Sequence, residues 1–241
     1  MSIWLVRLAI DRWRHEAGCA EGEGADAEPH ALIAEAAHGL RIEAANDAGL
    51  DAGARPGMKL TDARALCPEL KVSPSDPAGD AAFLEKLALW AQRWGPWSAL
   101  DPPDGLLVDV TGVAHLFGGE AQLLADAQGL FTRRGIRVRL AIAPTAGAAW
   151  ALAHYDPDKA ILALPPPPSP SSSLRGAKPR GNPGLHEEPW IAAPPSAARN
   201  DEDGDILAIL ADLPVAALRL DGEVLTVLRR LGLKRIGQLG G

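Results

Sequence analysis

Two cysteines, Cys19 and Cys67, are all that 241 residues contain. That is too few for a disulfide framework, and their separation is not the close spacing of a zinc site. The six histidines are scattered and form no HxxxH or HxH pair, so no structural metal and no cofactor is expected. Positive charge is also in short supply. With 24 basic against 31 acidic residues the net charge is -7, so the average surface does not attract phosphate. Any nucleic-acid contact would need local basic patches. Long apolar runs are missing too. "MSIWLVRLAI" spans only ten residues, is broken by Arg7 and leads to no small-residue cleavage site. It reads as a buried first strand, with no membrane contact and a reducing cytoplasm as the setting.

What is present is a chain that is 47% hydrophobic and 23% charged, enough to bury a real core in one large domain or two small ones. Residues 1–10 read as a strand and residues 13–30, rich in Gly, Ala and Glu, as an exposed irregular loop. "ALIAEAAHGL" resumes an apolar pattern. In "RPGMKLTDARALCPEL" (55–70), Pro56-Gly57 makes a turn, Thr61 can cap a helix with Asp62 in its first turn, and Pro68 stops it. Residues 80–97 form an amphipathic pattern with Phe83, Leu84, Leu87, Trp90, Ala91 and Trp94 at helical spacing. A strand over 105–111, a Gly118-Gly119 break, a helix over 120–131, a strand "IRVRLAIAP" (136–144), a helix "TAGAAWALAHY" and a short strand "AILAL" follow. This order suits an α+β fold, a mixed sheet with helices on one face.

Residues 165–204 change character. They are rich in Pro, Ser and Gly, show no period, and read as a disordered linker. Beyond them, "DILAILADLPVAALRLDGEVLTVLRRLGLKRIGQLGG" (205–241) reads as a compact helical unit. No internal repeat is evident.

Four segments in this order, "ARPGMKLTDARALCPEL", "WSALDPPDGLLVDVTGVAHLFGG", "RLAIAPTAGAAWALAHY" and "LRRLGLKRIGQL", resemble the Y-family (translesion) DNA polymerases. More narrowly, the chain resembles the ImuB type, the polymerase-like subunit of a bacterial inducible mutagenesis cassette. The resemblance implies a palm from residues 1–11 and 77–164, small fingers inserted at 12–76, and a helix-hairpin-helix-like thumb at 205–241. It also implies truncation after the thumb, because a little finger would follow and the chain stops at Gly241.

Nucleotidyl transfer in such a fold needs carboxylates clustered around two magnesium ions. The resemblance implies an Asp-x-Asp pair at the end of the first strand, yet no carboxylate precedes Asp11 and Arg7 lies near that place. The second motif, Ser-Ile-Asp-Glu before an apolar strand and Asp-Val-Thr, puts its Asp on Asp104 and its Glu on Gly105, counting back from Asp109. A Tyr-x-x-Arg pair that contacts the triphosphate corresponds to Asp47 and Leu50, and two lysines of the palm helix correspond to Ala146 and Trp150. An acid in place of a phosphate donor repels the substrate. The resemblance therefore implies no catalytic residues and no bound metal, with Asp104 vestigial.

Read without the resemblance, Asp104-Gly105 is a common turn dipeptide, and Asp109 suits a strand end whose carboxylate bonds the Thr-Gly turn amides. Trp90, Trp94 and Trp97 fit packing better than base stacking. Cys67 reads as a small buried side chain. Arg229, Arg230, Lys234 and Arg235 bracket "LGL" between two helices and are the candidate DNA-binding residues, the alternative being a solvated helix end. "LRLD" (218–221) replaces the glycines of the first thumb hairpin with bulky side chains. Arg133, Arg134, Arg137 and Arg139 either face DNA or flank the sheet.

The expected function is a non-catalytic adaptor in error-prone translesion synthesis and DNA repair. Its implied partners are damaged or primed DNA, the sliding clamp, a RecA-like ImuA protein and an error-prone alpha-subunit polymerase. The alternatives are an active translesion polymerase with relocated ligands, Asp11 and Asp104, or a truncated product without independent function.

Overall fold

The computed structural model describes residues 1–17, 28–156, 158, 160–161, 206 and 208–239. The linker expected over 165–204 lies outside them, as does most of the loop expected over 13–30. The chain divides into two compact units, Met1–Leu162 and Ala163–Gly241.

The first unit is built on a four-stranded sheet of β1 (Ser2–Leu5), β5 (Trp97–Asp101), β6 (Gly105–Asp109) and β7 (Val138–Ala141), in the order β5-β6-β1-β7. Every pairing in it is antiparallel, and a parallel bridge from Ile142 to Ile161 lies beyond β7. Side chains alternate along β1 as a pleat demands. Ile3 and Leu5 are fully buried with Leu106, Val108, Val138 and Leu140. Against them pack α4 (Pro77–Ala91), through Leu84, Leu87 and Ala91, and α5 (Glu120–Thr132), through Leu123, Ala127 and Phe131. Each fully buried Leu or Phe in this layer contributes about 2 kcal/mol. The intervening Trp4 points the other way, where it stacks on His154 of α6 (Ala146–Tyr155), ring centroids 4.2 Å apart. The sequence expectation of helices on one face describes α4 and α5; α6 crosses the opposite face.

The ten-residue first strand is corrected. β1 ends at Leu5 because its neighbours end there: Leu5 pairs with Val138, the first residue of β7, and Trp4 with Gly105, the first of β6. With no strand left to pair, the chain turns at Val6-Arg7 into α1 (Leu8–Glu16). The expected palm–fingers break after residue 11 thus falls inside a helix. Arg12 of α1 is buried and fixes the helix to the start of α4, bonding Asp80 Oδ1 at 2.6 Å and the Asp76 carbonyl at 3.1 Å.

The inserted segment forms a second sheet, β3-β2-β4, from β2 (His30–Ala36), β3 (Gly39–Ala45) and β4 (Lys71–Pro74). Two short helices, α2 (Asp47–Asp51) and α3 (Leu60–Leu66), connect β3 to β4. Ala31, Ile42, Leu60, Ala63, Cys67 and Leu70 make its core, which leaves Cys67 buried as its position before Pro68 suggested. Thr61 does not cap α3. The helix starts at Leu60 with Lys59 at the cap position and no side-chain bond there, because Leu60 is drawn into the core.

In the second unit, α7 (Gly222–Arg230) stands between two single-turn 3-10 helices, Val215–Leu218 and Ile236–Leu239. Val215 N–H donates to the Lys234 carbonyl at 3.0 Å and Ile236 N–H to the Leu213 carbonyl at 2.9 Å, so the two short helices are tied side by side.

Candidate functional site

The residues that the sequence brought into question meet where β1 runs into α1. Arg7 occupies the turn after β1, and its side chain is 9% exposed. Its guanidinium pairs with Asp11, Nε to Oδ1 at 3.7 Å, and with Asp47 through a short contact from Nη1 to Oδ1. Asp47 reaches it from the second sheet. There Asn46, fully buried, accepts the His30 and Gly49 amides on Oδ1 at 2.9 Å each and donates Nδ2 to the Glu28 carbonyl at 2.8 Å. This caps α2 and aims its first residue, Asp47, at Arg7. A Cβ on Gly49 would come 3.0 Å from the His30 carbonyl oxygen, so the close approach of α2 to β2 needs glycine.

A second guanidinium closes the group. Arg137 grips Asp47 with both terminal nitrogens, at 2.7 and 3.2 Å, and its backbone N–H donates to Asp11 Oδ2 at 2.8 Å. Two arginines and two carboxylates thus join α1, α2 and the entry to β7. Their environments push the two acids apart. The Arg137 and Arg7 guanidiniums hold the Asp47 carboxyl below its ordinary range, whereas burial raises that of Asp11 against the opposing pull of the Arg137 amide and the arginines.

Asp104 is held elsewhere. The hairpin between β5 and β6 carries a cis Pro102–Pro103 bond, and its last residue, Asp104, accepts the Trp4 indole N–H at 2.9 Å. Its carbonyl accepts the Leu5 amide at 2.8 Å. Next to it, a Cβ on Gly105 would lie 2.8 Å from the Asp101 carbonyl oxygen and 3.2 Å from the Asp101 Cβ. A side chain at the place where the resemblance puts a glutamate would therefore have to displace the Asp101 backbone. Asp109, at the other end of β6, accepts the Thr111 amide at 2.9 Å, the strand-end role expected for it, and this bond lowers its pKa. Among the described residues, no three His, Cys, Asp or Glu side chains cluster as a metal site would require.

Of the four arginines at 133–139, three are engaged within the chain. Arg134 lies over the Trp90 ring at 4.4 Å, Arg139 over Trp4 at 5.3 Å, and Arg137 holds Asp47. Trp94 is buried and donates its indole N–H to Asp126 at 2.8 Å, and Trp90 packs edge-on against it. Trp97 departs from the packing expected of it, because β5 is an edge strand and leaves it 75% exposed. The sequence did not single out Trp4 or Arg137 as partners of Asp104 and Asp47. Each pair spans ninety or more positions, and no local spacing signals it.

In the second unit, Arg229 and Arg230 end α7 and are exposed, as are Lys234 and Arg235 beyond the Gly232 turn. Arg235 pairs with Asp212 at 3.2 Å. The backbone amides of Lys234 and Arg235 both donate to Gln238 Oε1, at 2.7 and 2.9 Å. In the first hairpin, Arg219 takes a left-handed conformation, φ 56°, where a glycine would sit without strain.

These folds and motifs have relatives. Residues 25–154 match the family model described as IMS, the impB/mucB/samB family. The chain belongs to this family. It is 42% identical over 187 residues to Protein ImuB of Caulobacter vibrioides, in both strain NA1000 / CB15N and strain ATCC 19089 / CIP 103742 / CB 15. The match covers 78% of this chain but 32% of that protein, so the chain spans about a third of the length of these curated relatives. Among solved structures it is similar to DinB from Sulfolobus solfataricus, TM-score 0.60 at 13% identity, over 97% of this chain and 57% of that one. It is likewise similar to Dbh DNA polymerase in an insertion ternary complex, TM-score 0.63 at 14% identity, over 97% and 58%. The fold is therefore that of a Y-family polymerase palm and fingers with a small helical thumb. Among the described residues no helix is long and apolar enough to cross a membrane.

Proposed function

We propose that this chain is a non-catalytic, DNA-binding scaffold of the Y-family type, acting in error-prone translesion synthesis and DNA repair. The four-stranded sheet with α4, α5 and α6 serves as palm, the sheet β3-β2-β4 as fingers with α1 leading from one to the other, and the helical part of the second unit as thumb. The observation that carries the reading is Arg7. A guanidinium sits between Asp11 and Asp47 at the end of the first strand, where polymerisation would need acids around magnesium. Gly105 supports it, since the Asp101 backbone fills the space a glutamate would take. Asp104 is the vestige of the motif, tied to Trp4.

Arg229, Arg230, Lys234 and Arg235 are the residues that would meet the DNA backbone, as exposed cations rather than through the loop amides that Gln238 occupies. Damaged or primed DNA is then the substrate surface, in a cytoplasmic setting. The sliding clamp, a RecA-like ImuA protein and an error-prone alpha-subunit polymerase are the partners such a scaffold would gather.

The test pairs two measurements on the purified chain. Primer extension with magnesium and all four deoxynucleotides should give no product, while a salt-titrated gel shift on primed DNA should show binding. Template-directed extension would overturn the non-catalytic reading, and loss of binding at low salt would overturn the DNA-binding one.

A further inference from the structure

The Arg7–Asp47–Arg137 group has the composition of an anion site that already contains its anion. Two guanidiniums converge on one carboxylate. Arg137 does so with both terminal nitrogens, the fork geometry with which arginine also takes phosphate. The carboxylate comes from a different sheet. Asp47 is placed by the buried Asn46 cap of α2, whereas Arg7 and Arg137 flank β1 and β7. Asp47 remains 40% exposed and Arg137 56%, so both side chains are open to solvent. Asp11 balances part of the Arg7 charge from behind, at 3.7 Å. Without Asp47, Arg7 and Arg137 would lose the carboxylate on which both converge.

We propose that Asp47 is an internal plug: it fills a phosphate-type anion site formed by Arg7 and Arg137, and thereby fastens α2 of the second sheet to the β1–α1 turn. The ligand it excludes is a phosphate chain, bound by charge and by its several acceptor oxygens, with no metal between. The plug pairs both guanidiniums with one carboxylate of the chain itself. It excludes the triphosphate by occupation, in addition to the missing acids, and holds the two sheets of the first unit in one relation. The inference rests on the non-catalytic reading of the same group of residues, but the two fail separately. Magnesium-dependent extension by the wild-type chain sinks that reading, whereas the outcome below sinks only this one.

The experiment is calorimetric titration of the full chain with sodium tripolyphosphate in excess EDTA. The wild type should show no binding. Asp47→Asn, similar in size but uncharged, should bind at least tenfold more tightly than the wild type. Asp47→Asn combined with Arg7→Gln or with Arg137→Gln should lose that gain. dATP should bind Asp47→Asn no more tightly than tripolyphosphate, and deoxyadenosine should not bind. If Asp47→Asn is too unstable to titrate, tripolyphosphate should restore its melting transition by mass action. The plug is refuted if Asp47→Asn gains neither binding nor rescue, if the double variants bind as well as the single one, or if deoxyadenosine binds alike.

Discussion

Arg7 brings one permanent, delocalised positive charge to the turn after β1, and on the proposed reading it stands where a polymerase would hold divalent ions. Its carboxylate partners are thereby satisfied without metal, and restoring acids elsewhere does not undo that. Gly105→Glu makes the point testable. The new Cβ meets the Asp101 carbonyl oxygen at 2.8 Å, and backbone cannot rotate away as a side-chain tip can. We expect destabilisation of about 1–3 kcal/mol, read by urea denaturation, together with no primer extension; a stable variant that extends primers would defeat the argument. At Arg219 the expectation has the opposite sign. A left-handed φ costs a non-glycine residue roughly 1–2 kcal/mol, and glycine returns part of any gain as unfolded-chain entropy. Arg219→Gly should therefore stabilise the second unit by about 0.5–1 kcal/mol, an inference that a lower urea midpoint would contradict. Both sites were legible only in part. That Gly105 follows Asp104, where the resemblance implies a glutamate, stands in the sequence. That Asp101 fills the vacated space does not, because it follows from a hairpin geometry that the Asp-Gly dipeptide alone leaves open.

Elements with a strong period or clear punctuation were readable, including α5, α6 and the stop of α3 before Pro68. Elements decided by their neighbours were not. β1 stops at Leu5 because β6 and β7 offer nothing further to pair with, which no reading of "IWLVRLAI" reveals. β5 escaped notice because its edge position leaves Trp97 and Leu100 exposed and blurs the alternation of a half-buried strand. The junction between α2 and the β1–α1 turn was equally hidden, since its charges are far apart in sequence. It makes a pH prediction. The folded pKa of Asp47 lies below its ordinary value of 3.8, so its stabilisation is complete above that value and is lost as pH falls through the lower, folded one. The difference in melting temperature between wild type and Asp47→Asn should stay constant from about pH 8 to 5 and shrink below about pH 4. Asp11 works in the other sense: its folded pKa is raised, so stability falls as pH rises from the ordinary value through the raised one. Asp11→Asn should remove that decline, and a difference in melting temperature for Asp47→Asn that grew on acidification would reverse the assigned sign.

Taken as a whole, the molecule has an acidic balance of -7, which opposes the approach of DNA, yet the described part of the second unit departs from it. Residues 206–239 carry Arg219, Arg229, Arg230, Lys234 and Arg235 against Asp212, Asp221 and Glu223, a local excess of two positive charges. Three of the five cations, Arg229, Arg230 and Lys234, stand together around the Gly232 turn, and Arg235 beside them is partly spent on Asp212. In the first unit, by contrast, Arg134, Arg137 and Arg139 are engaged with Trp90, Asp47 and Trp4. DNA contact by this chain should thus be electrostatic, local and confined to a few phosphates. Counterion release gives that statement a number: each phosphate neutralised contributes a slope of about -0.9 in log affinity against log salt on duplex DNA. Arg229→Gln with Arg230→Gln should reduce the slope by about two and leave base-sequence preference unchanged, because the lost contacts are to the backbone. Arg137→Gln should leave the slope unaltered, since that guanidinium already has its carboxylate. The measurement is fluorescence anisotropy of a labelled primed duplex across a salt series for the wild type and both variants. Equal slopes for all three would remove the second unit from the DNA interface, and a reduced slope for Arg137→Gln would place the first unit in it.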